Sequence, residues 1–310
     1  VRSFTATGTI ADGIIVTLES DGTVKATTKS TSSPALGSPV VFEESNSPYN
    51  SSVYDSSNNR VVNAFLDSTG LCVVGTVTGT AISFGTRVSW NSAPTNISAV
   101  YDSNSSKVVI AFRATDHSNY GSAIVGTVSG TTISFGTRAV FESAAVQYTA
   151  VTFDSNSNKV VIAYQDNGNS EYGTAVVGTV SGTSISFGTP VVFESAGTYN
   201  IAATFDSNSN KVVIAYRDFP NSDYGTAIVG TVSGTAISFG TAVVFESASS
   251  RYISAAFDSN ENRVVISYED VGNSSYGTAI VGTVSGTAIS FGTAVVYESA
   301  GVTYNSIVFN

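Results

Sequence analysis

"YGTAIVGTVSGTAISFGTAVV" occupies residues 224–244 and recurs without a single change at 276–296. Looser copies stand at 172–192 and 120–140. Each copy is a run of Val, Ile, Thr, Phe and small residues, cut near its middle by Ser-Gly. Those residue types favour pleated backbone, and a Gly-bearing pair between two such runs marks a hairpin. Text that repeats at a fixed period is the first thing to read in a chain.

A second phrase sets the period. Asp102, Asp154, Asp206 and Asp258 each open "DSN" and follow one another at 52 residues. Asp55, in "YDSSNN", lies 47 residues before Asp102, and its repeat lacks the long internal loop. The last full copy divides into "YISAAF" (252–257), the turn "DSNEN" and "RVVISYE" (263–269). After the loop "DVGNSSYG" come "TAIVGTV" (278–284), the turn "SG" and "TAISFGTAVVYES" (287–299). No stretch shows 3.6-residue periodicity over helical length. Four strands in roughly 40–50 residues make one propeller blade.

The fourth-strand ending occurs six times, as "PVVFEES" (39–45), "RVSWNS" (87–92), "RAVFES" (138–143), "PVVFES" (190–195), "AVVFES" (242–247) and "AVVYES" (294–299). The expected fold is therefore an all-β, six-bladed β-propeller of four-stranded blades. The repeat blades are 49–95, 96–147, 148–199, 200–251 and 252–301. Residues 1–48 with 302–310 are assigned to the closing blade, with "GIIVTLES" (13–20) as strand two and "TVKATTK" (23–29) as strand three. "TYNSIVFN" (303–310) aligns with first strands and would close the ring from the other chain end, removing exposed edges. "FTATGTI" (4–10) competes for the same innermost slot, extends the sheet, or pairs with another subunit's edge.

Composition narrows the function. The chain has 310 residues, 42% of them hydrophobic and only 12% charged, with a net charge of −10. Nucleic acid and anionic membrane both ask for Lys and Arg clusters, so neither is an expected partner. No apolar run reaches the length of a membrane span. The single Cys72, at an apolar slot in "LCVVGTV", excludes an internal disulfide and a Cys-based metal site. The chain opens on Val1 and contains no Met, so an upstream segment is expected to have been removed, a cleaved secretion signal being one explanation among several. Low Lys with abundant Ser, Thr, Gly and Asn points to an extracellular, cell-surface or virion setting.

The blade order resembles sialidase-like propellers. The matching text is "SFGTPVVFES" (186–195), "IAATFDSNSN" (201–210) and "KVVIAYRD" (211–218). The resemblance implies the architecture along the whole chain and not the chemistry. The Asp box of that family is absent, since the equivalent turn reads "VSGTAISFG" (232–240), and its arginine triad has no counterpart. The repeated wording also resembles propeller repeats of phage fibre and bacterial surface proteins.

Two sets of residues are candidates for function. The turns Asp154-x-Asn156-x-Asn158, Asp206-x-Asn208-x-Asn210 and Asp258-x-Asn260-x-Asn262 offer oxygens to calcium. However, Lys159, Lys211 or Arg263 follows where a Gly belongs, and Asp and Asn also build tight hairpins through their own backbone. Turn chemistry is the reading adopted, with no metal and no cofactor expected. The loops between strands two and three vary most: "RATDHSNYG" (113–121), "QDNGNSEYG" (165–173), "RDFPNSDYG" (217–225) and "EDVGNSSYG" (269–277). Their Tyr120, Tyr172, Tyr224 and Tyr276 can stack on sugar rings. Asp166, Asp218 and Asp270, with Arg113 and Arg217, can bond hydroxyls. The competing reading is that each Tyr packs its own loop and each Asp caps a turn.

No catalytic residue is assigned. His117 is the only histidine, and Glu142, Glu194, Glu246 and Glu298 recur by symmetry, whereas an active site needs one unique constellation. Trp90 occupies the slot of Phe141, Phe193 and Phe245, a packing position. The expected function is a non-catalytic adhesive or structural module with weak multivalent glycan binding through the four loops. The alternative is a self-assembling filament or fibre subunit using terminal strand exchange, and a glycoside-processing enzyme ranks behind both. Expected partners are surface glycans or copies of the chain itself.

Overall fold

The alternation in "KVVIAY" decides how the blades stack. Successive side chains of a strand point to opposite faces. In Lys211–Asp218, Val212, Ile214 and Tyr216 share one face, and Val213 and Ala215 the other. Both faces are buried. Val161, Ala163, Ala175 and Val177, the small face of one blade, pack against Val212, Ile214, Tyr216 and Ile228, the large face of the next. Val213, Ala215, Ala227 and Val229 meet Val264, Ile266, Tyr268 and Ile280 in the same way. Burying each large side chain contributes about 1.5–3 kcal/mol. The chain is an all-β propeller built on this contact.

The computed structural model describes residues 5–6, 16–18, 23–26, 37–91 and 93–309. They fall in two units, Val1–Pro39 with Gly79–Ala81, and Val40–Thr78 with Ile82–Asn310. In the second unit a blade runs antiparallel from the inner half of Ala139–Asp154 through Lys159–Asp166 and Tyr172–Ser181 to Ser184–Phe187 and the start of Val191–Asp206. Asp154 faces Lys159, Asp166 faces Tyr172, Ser181 faces Ser184, and Ala175 faces Val191.

Two features differ from the expected strands. The fourth strand is broken: "TAISFGTAVVYES" becomes Ala288–Phe291 and Val295–Gly301. The break begins at a glycine that approaches the next blade's hairpin. A Cβ at Gly188 would lie 1.9 Å from the Thr235 carbonyl oxygen, and Gly136 and Gly240 meet Thr183 and Thr287 at the same distance. Secondly, the outer strand of one blade runs unbroken into the inner strand of the next in Ala139–Asp154, Val191–Asp206 and Val243–Asp258. The register shifts midway, between Gln147 and Ala150 in the first of these. There the chain bends through Tyr148, Asn200 and Tyr252, at φ of 49°, 49° and 48°.

The Asp turns close the first hairpins. Asp154 Oδ1 accepts from the Asn156 and Ser157 amides at 2.9 Å, and Asp206 Oδ1 accepts from Asn208 and Ser209 at 2.9 Å. Asn158, Asn210 and Asn262 take positive φ at the end of each turn. The carboxylates thus serve backbone donors, and among the described residues no group of three or more His, Cys, Asp or Glu could hold a metal ion.

In the first unit, Val16–Leu18 and Thr23–Ala26 pair antiparallel, inside the segments read as strands two and three. Thr5–Ala6, from "FTATGTI", pairs parallel with Thr23–Val24 and so extends the sheet on the strand-three side. The rest of residues 1–36 lies outside the described residues, as does Asn310, and with them most of the closing blade assigned to 1–48. "TYNSIVFN" takes a first-strand place without becoming a strand. Ile307 N donates to Ser254 Oγ at 3.1 Å, as Val151 N does to Ser98 Oγ at 3.1 Å. No second strand pairs with it among the described residues, so no ladder forms.

Trp90 is buried and meets Phe112 edge-on at 4.8 Å, and Phe141 at the equivalent slot meets Tyr164 in a tilted contact at 5.1 Å. Cys72 is fully buried, and burial pushes its thiol up. No helix among the described residues is long and apolar enough to cross a membrane.

Gly188→Ala should cost about 3 kcal/mol, because the clash is backbone against backbone. Gly234→Ala, at φ +61° with nothing within 4 Å, should cost only about 1 kcal/mol of left-handed strain. Urea denaturation of the two variants checks the difference.

Candidate functional site

The strand two–three loops and the outer-to-inner crossovers form one face. Val146 N donates to Asn119 O, Thr198 N to Glu171 O and Ser250 N to Asp223 O, each at 3.1 Å. Tyr172 lies opposite Gly197, Tyr224 opposite Ser249, and Tyr276 opposite Gly301. Tyr120, Tyr172, Tyr224 and Tyr276 are all half-buried at the start of third strands. Tyr120 also meets His117 edge-on at 4.9 Å.

The loop carboxylates hold the loops. Asp166 Oδ1 accepts from Gly168 N at 2.9 Å and Asn169 N at 3.2 Å, capping the 3-10 turn Asn167–Asn169. Asp270 accepts from Asn273 N at 3.1 Å in the same place. Asp218 is held by the backbone and side chain of Asn221. All three are buried. Arg113 Nε donates to Asn119 Oδ1 at 3.0 Å, and Arg217 Nε to Asp223 Oδ1 at 2.8 Å.

One loop differs from the rest. Phe219, 55% exposed, stands 5.6 Å from Tyr199, and Arg217 Cζ lies 5.0 Å from the centre of the Tyr199 ring. Tyr199 also meets Tyr148 at 5.7 Å and donates its hydroxyl to Glu171 Oε2 at 2.7 Å. That bond is the main reason the phenol is pushed up to about 12, with burial adding to it. The structure thus joins Arg217, a sequence candidate, to Tyr199, Glu171 and Tyr148, which the sequence reading did not single out. A signal existed: the copies put Gln147, Tyr199, Arg251 and Thr303 at one position, and only Tyr199 is aromatic.

The same crossovers surround an axial cavity of about 970 Å³ in the second unit. Equivalent residues of six first-strand segments line it: Tyr49, Asn96, Tyr148, Asn200, Tyr252 and Tyr304. Tyr148 touches Tyr199, so the cavity and the aromatic loop cluster adjoin.

Acidic clusters recur at three blade junctions. Tyr164, Tyr216 and Tyr268 donate to Glu142, Glu194 and Glu246 Oε2 at 3.1, 3.1 and 3.0 Å. Burial raises the three glutamates, and Asp166, Asp218 and Asp270 beside them add to the rise. Burial raises Asp166 and Asp218 as well. Threefold recurrence ties these carboxyls to the junctions rather than to one reactive centre.

No family model and no curated protein matches the sequence. Solved structures do resemble the fold. The BP39L lectin from Burkholderia pseudomallei superposes with a TM-score of 0.60 at 11% identity, over 84% of this chain and 74% of that one. The SapL1 lectin in complex with alpha methyl fucoside gives 0.52 at 14% identity, over 81% and 80%. An Aleuria aurantia lectin variant in complex with Fucalpha1-6GlcNAc gives 0.51 at 16%, also over 81% and 80%. At these identities the likeness is one of fold. None of the three is a sialidase or a phage fibre, so the resemblances drawn from blade wording gain no support beyond the propeller itself.

The raised glutamates make stability depend on pH. A carboxyl raised by the fold contributes fully below its ordinary value of 4.5, and that contribution is lost as pH rises through the raised value. Glu142→Gln, Glu194→Gln and Glu246→Gln together keep an acceptor for each tyrosine and remove the charge. The combined variant should melt higher than the parent at about pH 7.5 and equal to it at about pH 4. Calorimetry at the two pH values checks this.

Proposed function

We propose that this propeller is a non-catalytic carbohydrate-binding module whose loop face recognises glycans. The observation that carries the reading is the Tyr199–Phe219–Arg217 cluster. There an exposed aromatic ring, a second ring and a cation stand together on that face. Sugars present apolar faces rimmed by hydroxyls, and aromatic rings with a few polar anchors suit both parts. The lectin folds that the chain resembles, two of them in complex with fucosides, support the same class of ligand.

Tyr120, Tyr172 and Tyr276 offer weaker versions of the site in the other loops, and Asp166 and Asp270 act there by shaping the loops. Several shallow sites on one rigid ring add through multivalency. That arrangement suits an adhesive protein at a cell or virion surface, and the low charge and Ser, Thr and Asn content agree with such a setting.

Alpha methyl fucoside and Fucalpha1-6GlcNAc are the first probes, beside a broad glycan screen. Phe219→Ala and Tyr199→Ala should each weaken binding about tenfold, the loss of one ring contact at roughly 1.5 kcal/mol. Isothermal titration reads the change. A screen without any bound glycan sinks the proposal.

A further inference from the structure

The axial cavity has a lining unlike the rest of the surface. The chain carries a net charge of −10, yet no Asp, Glu, Lys, Arg or His lines the cavity among the described residues. Its ring consists of phenols and carboxamides, and the neighbouring wall adds Ser51, Thr149 and Ile253. Counted round the six positions, Asn96 lies opposite Tyr252, and Asn200 opposite Tyr49. The volume of about 970 Å³ lies at the upper end of small-ligand sites, roughly 300–1,000 Å³.

The backbone at the ring is strained. Asn96, Tyr148, Asn200, Tyr252 and Tyr304 have φ of 48°, 49°, 49°, 48° and 56°, in the left-handed region that glycine occupies freely. A bulky tyrosine there is held against its own preference, and such outliers gather at ligand sites. The bend lies within the inner strand, and Asn96, Asn200 and Tyr252 at it line the cavity. Tyr252 and Tyr304 are paired at 5.0 Å, and Tyr304 is 82% exposed.

From these observations we infer that the axial cavity is a second ligand site, separate from the Phe219 cluster, that takes the end of a linear neutral oligosaccharide. The Tyr252–Tyr304 pair supplies the ring faces, and Asn96 and Asn200 bond hydroxyl or acetamido groups from the other sides. With no cation in the wall, an anionic chain has nothing to offset its desolvation. A neutral sugar meets no such penalty.

Cellotetraose and chitotetraose test the site by isothermal titration, with tetragalacturonic acid as the anionic comparator. Both Tyr252→Gly and Tyr304→Gly relieve the positive φ while removing a ring, so the backbone is kept. The double variant should melt no lower than the parent and bind the neutral tetrasaccharides at least tenfold more weakly, whereas Phe219→Ala should leave that binding unchanged. Asn200→Gly, tested alone, should weaken it in the same direction. The inference is overturned if neither neutral tetrasaccharide binds the parent protein, or if tetragalacturonic acid binds as tightly. It is overturned too if binding survives in the double Gly variant and in Asn200→Gly but is lost in Phe219→Ala. Alpha methyl fucoside titrated in parallel reports on the loop cluster alone, so failure of one site is distinguishable from failure of the other.

Discussion

The blade-to-blade contact is the constraint on which the other features depend. The small face formed by Val161, Ala163, Ala175 and Val177 must receive the large face formed by Val212, Ile214, Tyr216 and Ile228. Each blade therefore carries both halves of the contact, one for the blade before it and one for the blade after. A head-to-tail contact of this kind is solved once and then copied. Residues 224–244 and 276–296 hold the third strand, its hairpin and the first part of the fourth; both faces of the third strand are buried in the first copy, whereas Val281 is 45% exposed in the second. A change in a blade that is packed on both sides disturbs two junctions. Gly188 sharpens the point, since its approach to the Thr235 carbonyl leaves no room for a single methyl.

What escapes this constraint lies on one face. The strand two–three loops and the crossovers differ most between the copies, while Val146, Thr198 and Ser250 anchor the crossovers as fully buried residues. Strained backbone collects there also: Ser222 and Asp223 have φ of 55° and 64°, and Ser170 and Glu171 of 55° and 65°. A scaffold whose middle strands are buried on both sides in successive blades can hold such residues in place. The Asp turns on the far side of the blades show the opposite economy. There each carboxylate bonds the amides two and three residues on, and the turn repeats with little change.

Much of this was legible in the sequence. The 52-residue spacing of Asp102, Asp154, Asp206 and Asp258 implied the blades, because a local turn and its flanking strands recur together. The Asp residues of the turns and the packing role of Trp90 followed from the same local chemistry. The break in the fourth strand was not legible, since it depends on Gly188 meeting a residue of another blade. Nor was the bulge at Tyr148 and Tyr252, because a tyrosine at positive φ contradicts its own propensity and only tertiary packing enforces it. The Tyr199–Phe219 pair joins a crossover to a loop, and the contact of these two side chains exists only once the blade has folded.

Symmetry itself separates structure from recognition in this chain. Glu142, Glu194 and Glu246 make the same tyrosine bond at three junctions, so their raised carboxyls belong to the stacking of blades. Tyr199, Arg217 and Phe219 occur together once, and their copies hold Gln147, Gln165 and Asn167 or Arg251, Glu269 and Val271. A scaffold role would be needed at every junction and would repeat. A departure confined to one blade, made of exposed or half-exposed rings that stabilise nothing common to the others, agrees instead with the glycan site proposed there. The axial ring lies between these cases: its strained backbone repeats, while its side chains are tyrosine at four of the six positions and asparagine at two. The bend is thus a property of the fold, and the choice of side chain at each bend is the part on which the proposed axial site depends.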